Sequence, residues 1–473
     1  MKILYSQIKE YIPALKASPK EIGEALTLTG SMMESFEKIS YKGRTDYLIG
    51  LEIRQNRADC LSVIGIAREV AAYYGLKAKM PDFGNIVLGG EKLDIGINKN
   101  AVDFVKRIWA IKFCGLENRK SPEWLIEYLS FYEINSINLL VDLSNYVMLA
   151  TGYPSHLIDA DKIIEPISWN LNNNFKKTTT LDGTNIQLSQ KNELIVEDKK
   201  DIIALAGIVG TKYSPVDMNS KSIILEMAVY DRTIIRQDSR TLKIVTEASH
   251  RLEKDLDPNG VDCAARMLTS LILKYCKGEI SSKIFDYYPQ KRVSKKIKFD
   301  RALPSVYAGV EIGKNKAIDI FKNLRFKVEG RGGKILVTPP TDRMDISMEQ
   351  DLTEEAVRMY GYDKIPSDEI PKLQVVKDIT PKNIILCEKI RDILAALGYD
   401  EVLSWLLTKQ GTNKLVNYLN WDVISAQNSV NELYPDLRQS IAPSLISQFK
   451  EYKKKNVQFI DIFEIGKVFG DKK

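Results

Sequence analysis

The chain has 473 residues, which at about 100–200 residues per domain predicts two to four domains. Apolar residues make up 44% and charged residues 27%, the balance of an ordinary globular protein, which excludes a disordered or fibrous chain. Lys and Arg number 68 against 62 Asp and Glu, and a net charge of +6 is compatible with an RNA partner without arguing for one. Residues 1 to about 75 predict a small α/β unit whose clearest element is a helix from Cys60 to Tyr74. Asp59 is its expected N-cap, Val63, Ile66, Ala67 and Val70 recur at helical spacing, and Gly75 follows at C′. Pro81, Gly84, Gly89 and Gly90 punctuate a linker. The largest block, about 100–280, predicts a mixed α+β domain. In it Ser121-Pro122-Glu123 opens a helix, with Ser121 as cap, and strands fall at Leu194–Glu197, Ile202–Leu205 and Ser222–Leu225. A unit at about 292–367 follows, with a helix near Lys314–Leu324 and two strands around Gly330-Arg331-Gly332-Gly333. Its last helix runs from near Ser347 to Tyr360, with Gly361 at C′. Pro366, Pro371 and Pro381 mark a second linker. The final block, about 382–473, carries a helix near Ile384–Leu397 and ends on an apolar strand, Phe459–Gly466, which predicts that the sequence is a fragment.

The residues that carry chemistry are few. Five cysteines, odd in number and without a CxxC pair, exclude a disulfide scaffold and predict a reducing, cytosolic setting. Two histidines exclude a three-His metal site. The longest apolar stretch, Ile202–Gly210, is less than half of the ~20 residues that span a bilayer, so no membrane partner is expected. The P-loop, zincin, nucleophile-elbow and dinucleotide motifs are missing from the sequence. Asp351, Glu354 and Glu355 stand at i, i+3 and i+4 on one helix face, with Asp345 just before it. Hard oxygen ligands in that pattern suit Mg²⁺, and acidic residues in early helical turns equally suit the helix dipole. His156 lies in a turn-like Gly-Tyr-Pro-Ser-His segment, where it is a cleft group or an ordinary surface imidazole. Glu226 is expected at a strand end, as a functional carboxylate or a solvated one. Thr246-Glu247-Ala248-Ser249-His250-Arg251 fits a helix start, and Lys453-Lys454-Lys455 a solvated face.

Taken in order, these segments form a stronger pattern. Asn56-Arg57-Ala58-Asp59-Cys60-Leu61-Ser62, Val141-Asp142-Leu143-Ser144-Asn145-Tyr146, Gly152-Tyr153-Pro154-Ser155-His156 and Ala204-Leu205-Ala206-Gly207-Ile208-Val209-Gly210 resemble the β subunit of bacterial phenylalanyl-tRNA synthetase. Ser249-His250-Arg251-Leu252-Glu253-Lys254, Asp351-Leu352-Thr353-Glu354-Glu355, Tyr360-Gly361-Tyr362-Asp363-Lys364-Ile365-Pro366 and Phe463-Glu464-Ile465-Gly466 continue the resemblance to the end of the chain.

The resemblance implies an α+β multidomain fold: an N-terminal unit at 1–80, a B3/B4 editing domain at 100–280, a winged-helix-like B5 domain of DNA-binding type at 292–367, and an incomplete class II synthetase-like antiparallel-sheet domain at 382–473. It implies a cytoplasmic partner α subunit in an α2β2 tetramer that uses ATP to join phenylalanine to tRNA(Phe), with no aminoacylation residue on this chain. It also implies an editing pocket that hydrolyses Tyr-tRNA, built from His156, Gly207, Gly210, Glu226, Thr246 and Ala248, with Glu226 recognising the tyrosyl phenol. Asp345, Asp351, Glu354 and Glu355 fall on the family's Mg²⁺ positions, a site shared with α. Asn135 stands where many relatives carry an Arg, which implies a missing cation near the tRNA end. The family's inserted oligonucleotide-binding barrel has no room between Lys38 and Gly50, and its C-terminal anticodon-binding domain is missing, so a reduced gene or a fragment is expected. The competing readings are a stand-alone hydrolase that edits mischarged tRNA in trans, and a non-catalytic tRNA-binding module.

Overall fold

The computed structural model describes residues 1–80, 83, 89–189, 193–330, 332–366, 379–416 and 420–471. The chain divides into two units, Met1–Asp368 and Glu369–Lys473, both of mixed α and β content. Pro81 and Gly84 of the first predicted linker, Arg331 of the predicted turn and Pro371 of the second linker lie outside the described residues.

At the N-terminus, β1 (Lys2–Leu4), α1 (Tyr5–Tyr11), α2 (Pro19–Leu28), β2 (Met32–Tyr41) and β3 (Arg44–Glu52) precede α3 (Val63–Tyr73), and the strands pair antiparallel in the order β1-β3-β2. The cap of α3 differs from the sequence reading. Ser62, not Asp59, closes it, its Oγ accepting from the Gly65 N–H at 3.0 Å. Asp59 is unavailable because Arg57 holds its carboxylate through two N–H donors at 2.9 and 2.8 Å, within the single 3₁₀ turn Ala58–Cys60. Gly75 does follow the helix, at φ +66°.

The middle of the first unit runs β4 (Ile95–Ile97), β5 (Val105–Cys114), α4 (Glu123–Ser130), α5 (Leu139–Thr151), β6 (His156–Asp159), β7 (Ile167–Leu171), β8 (Lys177–Thr179), β9 (Asn185–Gln187), β10 (Leu194–Glu197), β11 (Ile202–Leu205), β12 (Val209–Gly210) and β13 (Ile223–Tyr230). It continues through α6 (Arg232–Thr241), α7 (Glu247–Leu252), α8 (Val261–Cys276), β14 (Glu279–Ile280) and β15 (Phe285–Tyr287). Two five-stranded sheets result, one ordered β12-β11-β10-β7-β4 and the other built on β14-β5-β13-β6 with β15 also on β5. A single apolar core containing Trp109, Trp169 and Ile223 joins them. Ser121 does not cap α4: it donates to Asp142 Oδ2 at 2.5 Å, because that fully buried carboxylate must be met by donors, Ser136 and the Ile137 N–H among them. Strand β13 outruns its predicted end at Leu225, since Met227, Ala228 and Val229 are buried too and keep the backbone extended. Glu226 is therefore in mid-strand, not at a strand end.

The last part of this unit comprises β16 (Ile297–Asp300), α9 (Leu303–Ala308), α10 (Lys314–Asn323), β17 (Lys327–Glu329), β18 (Lys334–Thr338) and α11 (Glu349–Tyr360), with sheet order β16-β18-β17. Phe299, Phe321, Val337 and Leu352 form its core, and Ala72 of α3 packs into the same cluster. Gly361 ends α11 as its C-cap residue at φ +113°.

The second unit contains α12 (Lys382–Ala396), β19 (Asp400–Glu401), β20 (Leu407–Thr408), β21 (Asp436–Leu437), α13 (Ala442–Lys454) and β22 (Ile462–Phe463). The predicted terminal strand narrows to Ile462–Phe463, paired in parallel with β19. Arg438, almost fully buried, meets Glu464 at 2.7 Å. No residue of α12 is buried, and Leu386, Ile393 and Leu397 are exposed. Among the described residues no helix is long and apolar enough to cross a membrane, and all five cysteines are free thiols.

Candidate functional site

Strand β13 lies between β5 and β6, and its antiparallel register sets Glu226 directly opposite His156, the first residue of β6. Cross-strand partners project from the same face, so the two side chains meet, Glu226 Oε2 lying 4.0 Å from His156 Nδ1. Burial pushes the Glu226 carboxyl up to about 7, against a smaller downward pull from a hydrogen bond with Tyr230. Burial also drives the His156 imidazole down to about 4. At neutral pH the histidine is thus uncharged, and the close approach is a contact between a carboxyl and a neutral ring rather than a salt bridge. His156 Nδ1 is buried with no hydrogen-bond partner among the described residues.

The opposite wall comes from the β11–β12 turn and the start of α7. Thr246 caps α7, its Oγ1 accepting from the Ser249 N–H at 3.1 Å and donating to the Ile208 carbonyl at 2.8 Å. Its hydroxyl is spent on these two bonds and is no nucleophile. Gly207 is left-handed at φ +68°, and a Cβ there would stand 2.9 Å from Ile235 Cδ1 and Leu252 Cδ1 and 3.0 Å from Tyr230 Cδ2. A Cβ on Gly210 would lie 2.9 Å from His156 Nε2. His156, Gly207, Gly210, Glu226, Thr246 and Ala248 all line one cavity of about 300 Å³, so the six residues expected together are together. Gly207→Ala is expected to lower stability by about 1–3 kcal/mol in thermal unfolding, from left-handed strain plus overpacking. An unchanged melting temperature would contradict that geometry.

Two contributors escape the sequence reading. Tyr230 donates its hydroxyl to Glu226 Oε1 at 3.1 Å and accepts from Trp169 Nε1 at 2.9 Å. Tyr230 sits four residues along the same strand from Glu226, a spacing that could have been noticed. Trp169 lies 61 residues from Tyr230 in the chain, and only the packing of the two sheets brings it near.

The four carboxylates expected to bind Mg²⁺ are arranged differently. Asp345 accepts from Arg343 Nε and Nη2 at 2.9 and 2.7 Å. Glu355 is held between Arg343 and Arg358, the latter at 2.6 Å. Asp351 Oδ2 accepts from the Ser347 and Met348 N–H groups at 2.7 and 3.0 Å, the helix-start role the dipole favours. Glu354 is exposed. Asp345, Glu354 and Glu355 border a small cleft that Asp351 does not reach. The ionic network continues into the N-terminal part, where Arg358 bonds Glu69 at 2.6 Å and Arg57 bonds Glu69 and Asp59 at 2.8 Å each. Burial raises Glu355 and Asp59, yet the facing arginines hold both far below the carboxylate range. Among the described residues, the group of donor atoms close enough to share a cation is Asp59, Cys60 and Glu69, and Arg57 already contacts all three. Guanidinium groups thus answer two of the four carboxylates, Asp345 and Glu355, and the four do not converge on one point in this chain alone.

Comparison with known proteins defines the class. Residues 106–277 match the B3/4 domain, residues 297–362 the tRNA synthetase B5 domain, and residues 365–473 the phenylalanyl tRNA synthetase beta chain CLM domain. This is the domain set of an aminoacyl-tRNA synthetase subunit. The chain is 30% identical over 432 residues to the phenylalanine–tRNA ligase beta subunit of Fusobacterium nucleatum, covering 91% of this chain and 54% of that one. With the Clostridium tetani protein of the same name, identity is 31% over 467 residues, covering 97% and 56%. A solved N-terminal fragment of the phenylalanyl-tRNA synthetase beta subunit from Pyrococcus horikoshii aligns with 76% of this chain and 99% of its own, at 15% identity and a TM-score of 0.44. The chain spans about half the length of the curated relatives it matches. Along nearly all of its length the chain is similar to phenylalanine–tRNA ligase β subunits.

Proposed function

We propose that the chain works in the cytoplasm as the β subunit of phenylalanine–tRNA ligase, and that its central cavity hydrolyses tyrosine wrongly joined to tRNA(Phe). The observation that carries the second part is the buried meeting of Glu226 Oε2 with His156 Nδ1 at 4.0 Å inside a cavity of about 300 Å³. A phenol placed there offers its O–H to a carboxylate that water does not reach, whereas a phenylalanyl ring leaves that carboxylate unpaired. The hydrolysis needs no enzyme nucleophile. A water attacks the ester carbon, and the ribose oxygen leaves as a hydroxyl carrying the proton that the water gives up. Gly207 and Gly210 let the cavity wall pack closely on Ile235, Leu252, Tyr230 and His156, where a side chain would push those residues aside.

In this reading the segments 1–80, 100–280, 292–367 and 382–473 are separate modules, the third winged-helix-like and the fourth a class II-like domain without a synthetic site. Attachment of phenylalanine, with ATP and Mg²⁺, belongs to an α subunit in an α2β2 assembly. The unburied helix α12, with Leu386, Ile393 and Leu397 exposed, supports an apolar partner surface on the second unit. A magnesium ion at Asp345, Asp351, Glu354 and Glu355 would then need donors from outside this chain.

Co-expression with a phenylalanyl-tRNA synthetase α subunit tests both halves. We expect a stable complex that charges tRNA(Phe) with phenylalanine and releases tyrosine from Tyr-tRNA(Phe). Absence of both complex and charging sinks the ligase-subunit reading. Tyrosine release at only the spontaneous ester rate sinks the editing reading.

A further inference from the structure

We propose that Trp169 and Tyr230 are positioning residues that turn the Glu226 carboxyl so that its Oε2 alone faces the cavity, and so set the site's preference for a phenol. The proposal rests on the editing reading of that cavity and deepens it. Its core is a matter of donors and acceptors. An indole N–H can only donate, so the Tyr230 oxygen must accept from Trp169 at 2.9 Å. The single hydroxyl proton of Tyr230 is then left to point at Glu226 Oε1, 3.1 Å away. With the hydroxyl donating to it, Oε1 accepts and carries no proton. Any proton on Glu226 resides on Oε2, the oxygen that faces His156.

The arrangement is rigid for two reasons. Trp169, Tyr230 and Glu226 are 0%, 2% and 6% exposed, so no water competes for these bonds. Trp169 sits on β7 in one sheet while Tyr230 and Glu226 sit on β13 in the other, so the relay bridges the two layers that enclose the cavity. A carboxyl free to rotate would offer a ligand two interchangeable oxygens. Here it offers one, bare and charged when ionised, which is the stronger acceptor for a phenolic O–H. The titratable groups around Glu226 are Tyr230 on its own strand, His156 on β6, and Glu247 on α7, which is tied to Arg251; the facing residue on β5 is Ala110.

Tyr230→Phe removes the donor and keeps the ring. Tyrosine release from Tyr-tRNA(Phe) should fall on the order of tenfold in kcat/KM, the loss of one hydrogen bond to a charged group. The acid limb of its pH profile should move upward, because the bond that favours the ionised carboxyl is gone. A readout independent of editing is carbon-13 NMR of side-chain-labelled Glu in the 473-residue chain, with Glu226→Gln assigning the signal. The Glu226 midpoint should rise in Tyr230→Phe, and by less in Trp169→Phe, where the hydroxyl remains but loses its anchor. If the wild-type chain, complexed with α, releases no tyrosine, the editing reading fails while an upward midpoint shift still upholds the relay. If release is normal in the wild type but neither rate nor midpoint changes in a folded Tyr230→Phe protein, the relay is wrong. Should Tyr230→Phe not fold, an unchanged midpoint in Trp169→Phe overturns it instead.

Discussion

An Arg343→Ala chain is expected to lose about 3–5 kcal/mol of stability, because it leaves the buried Glu355 and the partly buried Asp345 with part of their compensating charge removed. Arg343 is only 3% exposed at its side chain, so solvent screening does not soften the loss. Urea unfolding at pH 7 measures it, and combining the change with Glu355→Gln should recover part of the loss by removing one orphaned charge. The pH dependence has a definite sign. Glu355, Glu69 and Asp59 are held below the ordinary carboxylate range in the folded chain, by arginines that outweigh the upward push of burial. Their contribution is present above the unfolded carboxylate values of about 4 and is lost as pH falls through the folded ones. Arg343→Ala should weaken that acid sensitivity. Restoration of its stability by millimolar Mg²⁺ would show that the carboxylates hold a metal, contrary to the arginine pairing.

Glu226→Ala is expected to reduce tyrosine release from Tyr-tRNA(Phe) by on the order of 100-fold or more, with Glu226→Gln between it and the wild type. Gln keeps the shape and one acceptor oxygen but never carries the charge. Aminoacylation by the complex with α should be unchanged in both. The same carboxyl leaves a mark on stability. Its folded pKa of about 7 lies above the ordinary carboxylate value, so the stability tied to its protonated form is full below about 4.5 and is lost as pH rises through about 7. Asp238, raised by burial to about 7 as well, contributes in the same window, so the slope persists in Glu226→Gln at reduced size. Identical pH–stability curves for the two proteins would mean that Glu226 does not titrate there.

How much of this was legible in the sequence depends on the range of the deciding interaction. Strands Leu194–Glu197 and Ile202–Leu205 have the boundaries expected from their apolar runs, since burial of a short continuous run is a local property. Asp59 and Ser121 do not cap their helices because their competing partners, Arg57 and Asp142, are chosen by tertiary packing. The six cavity residues were legible only through family resemblance, as no spacing rule unites a glycine at 207 with a histidine at 156. The acidic cluster shows the reverse. Its spacing is readable as a metal site, but Arg343 and Arg358, equally visible in the sequence, carry the charges that two of the four carboxylates answer to.

The buried ionic network also bears on how the protein is made. Glu69 shares its two oxygens between Arg57, twelve positions earlier, and Arg358, 289 positions later. During synthesis the N-terminal module emerges with one of its interior charges half answered, and it stays so until almost the whole first unit has left the ribosome. Final packing around Glu69 is thereby deferred to the arrival of α11, the helix that carries Arg358.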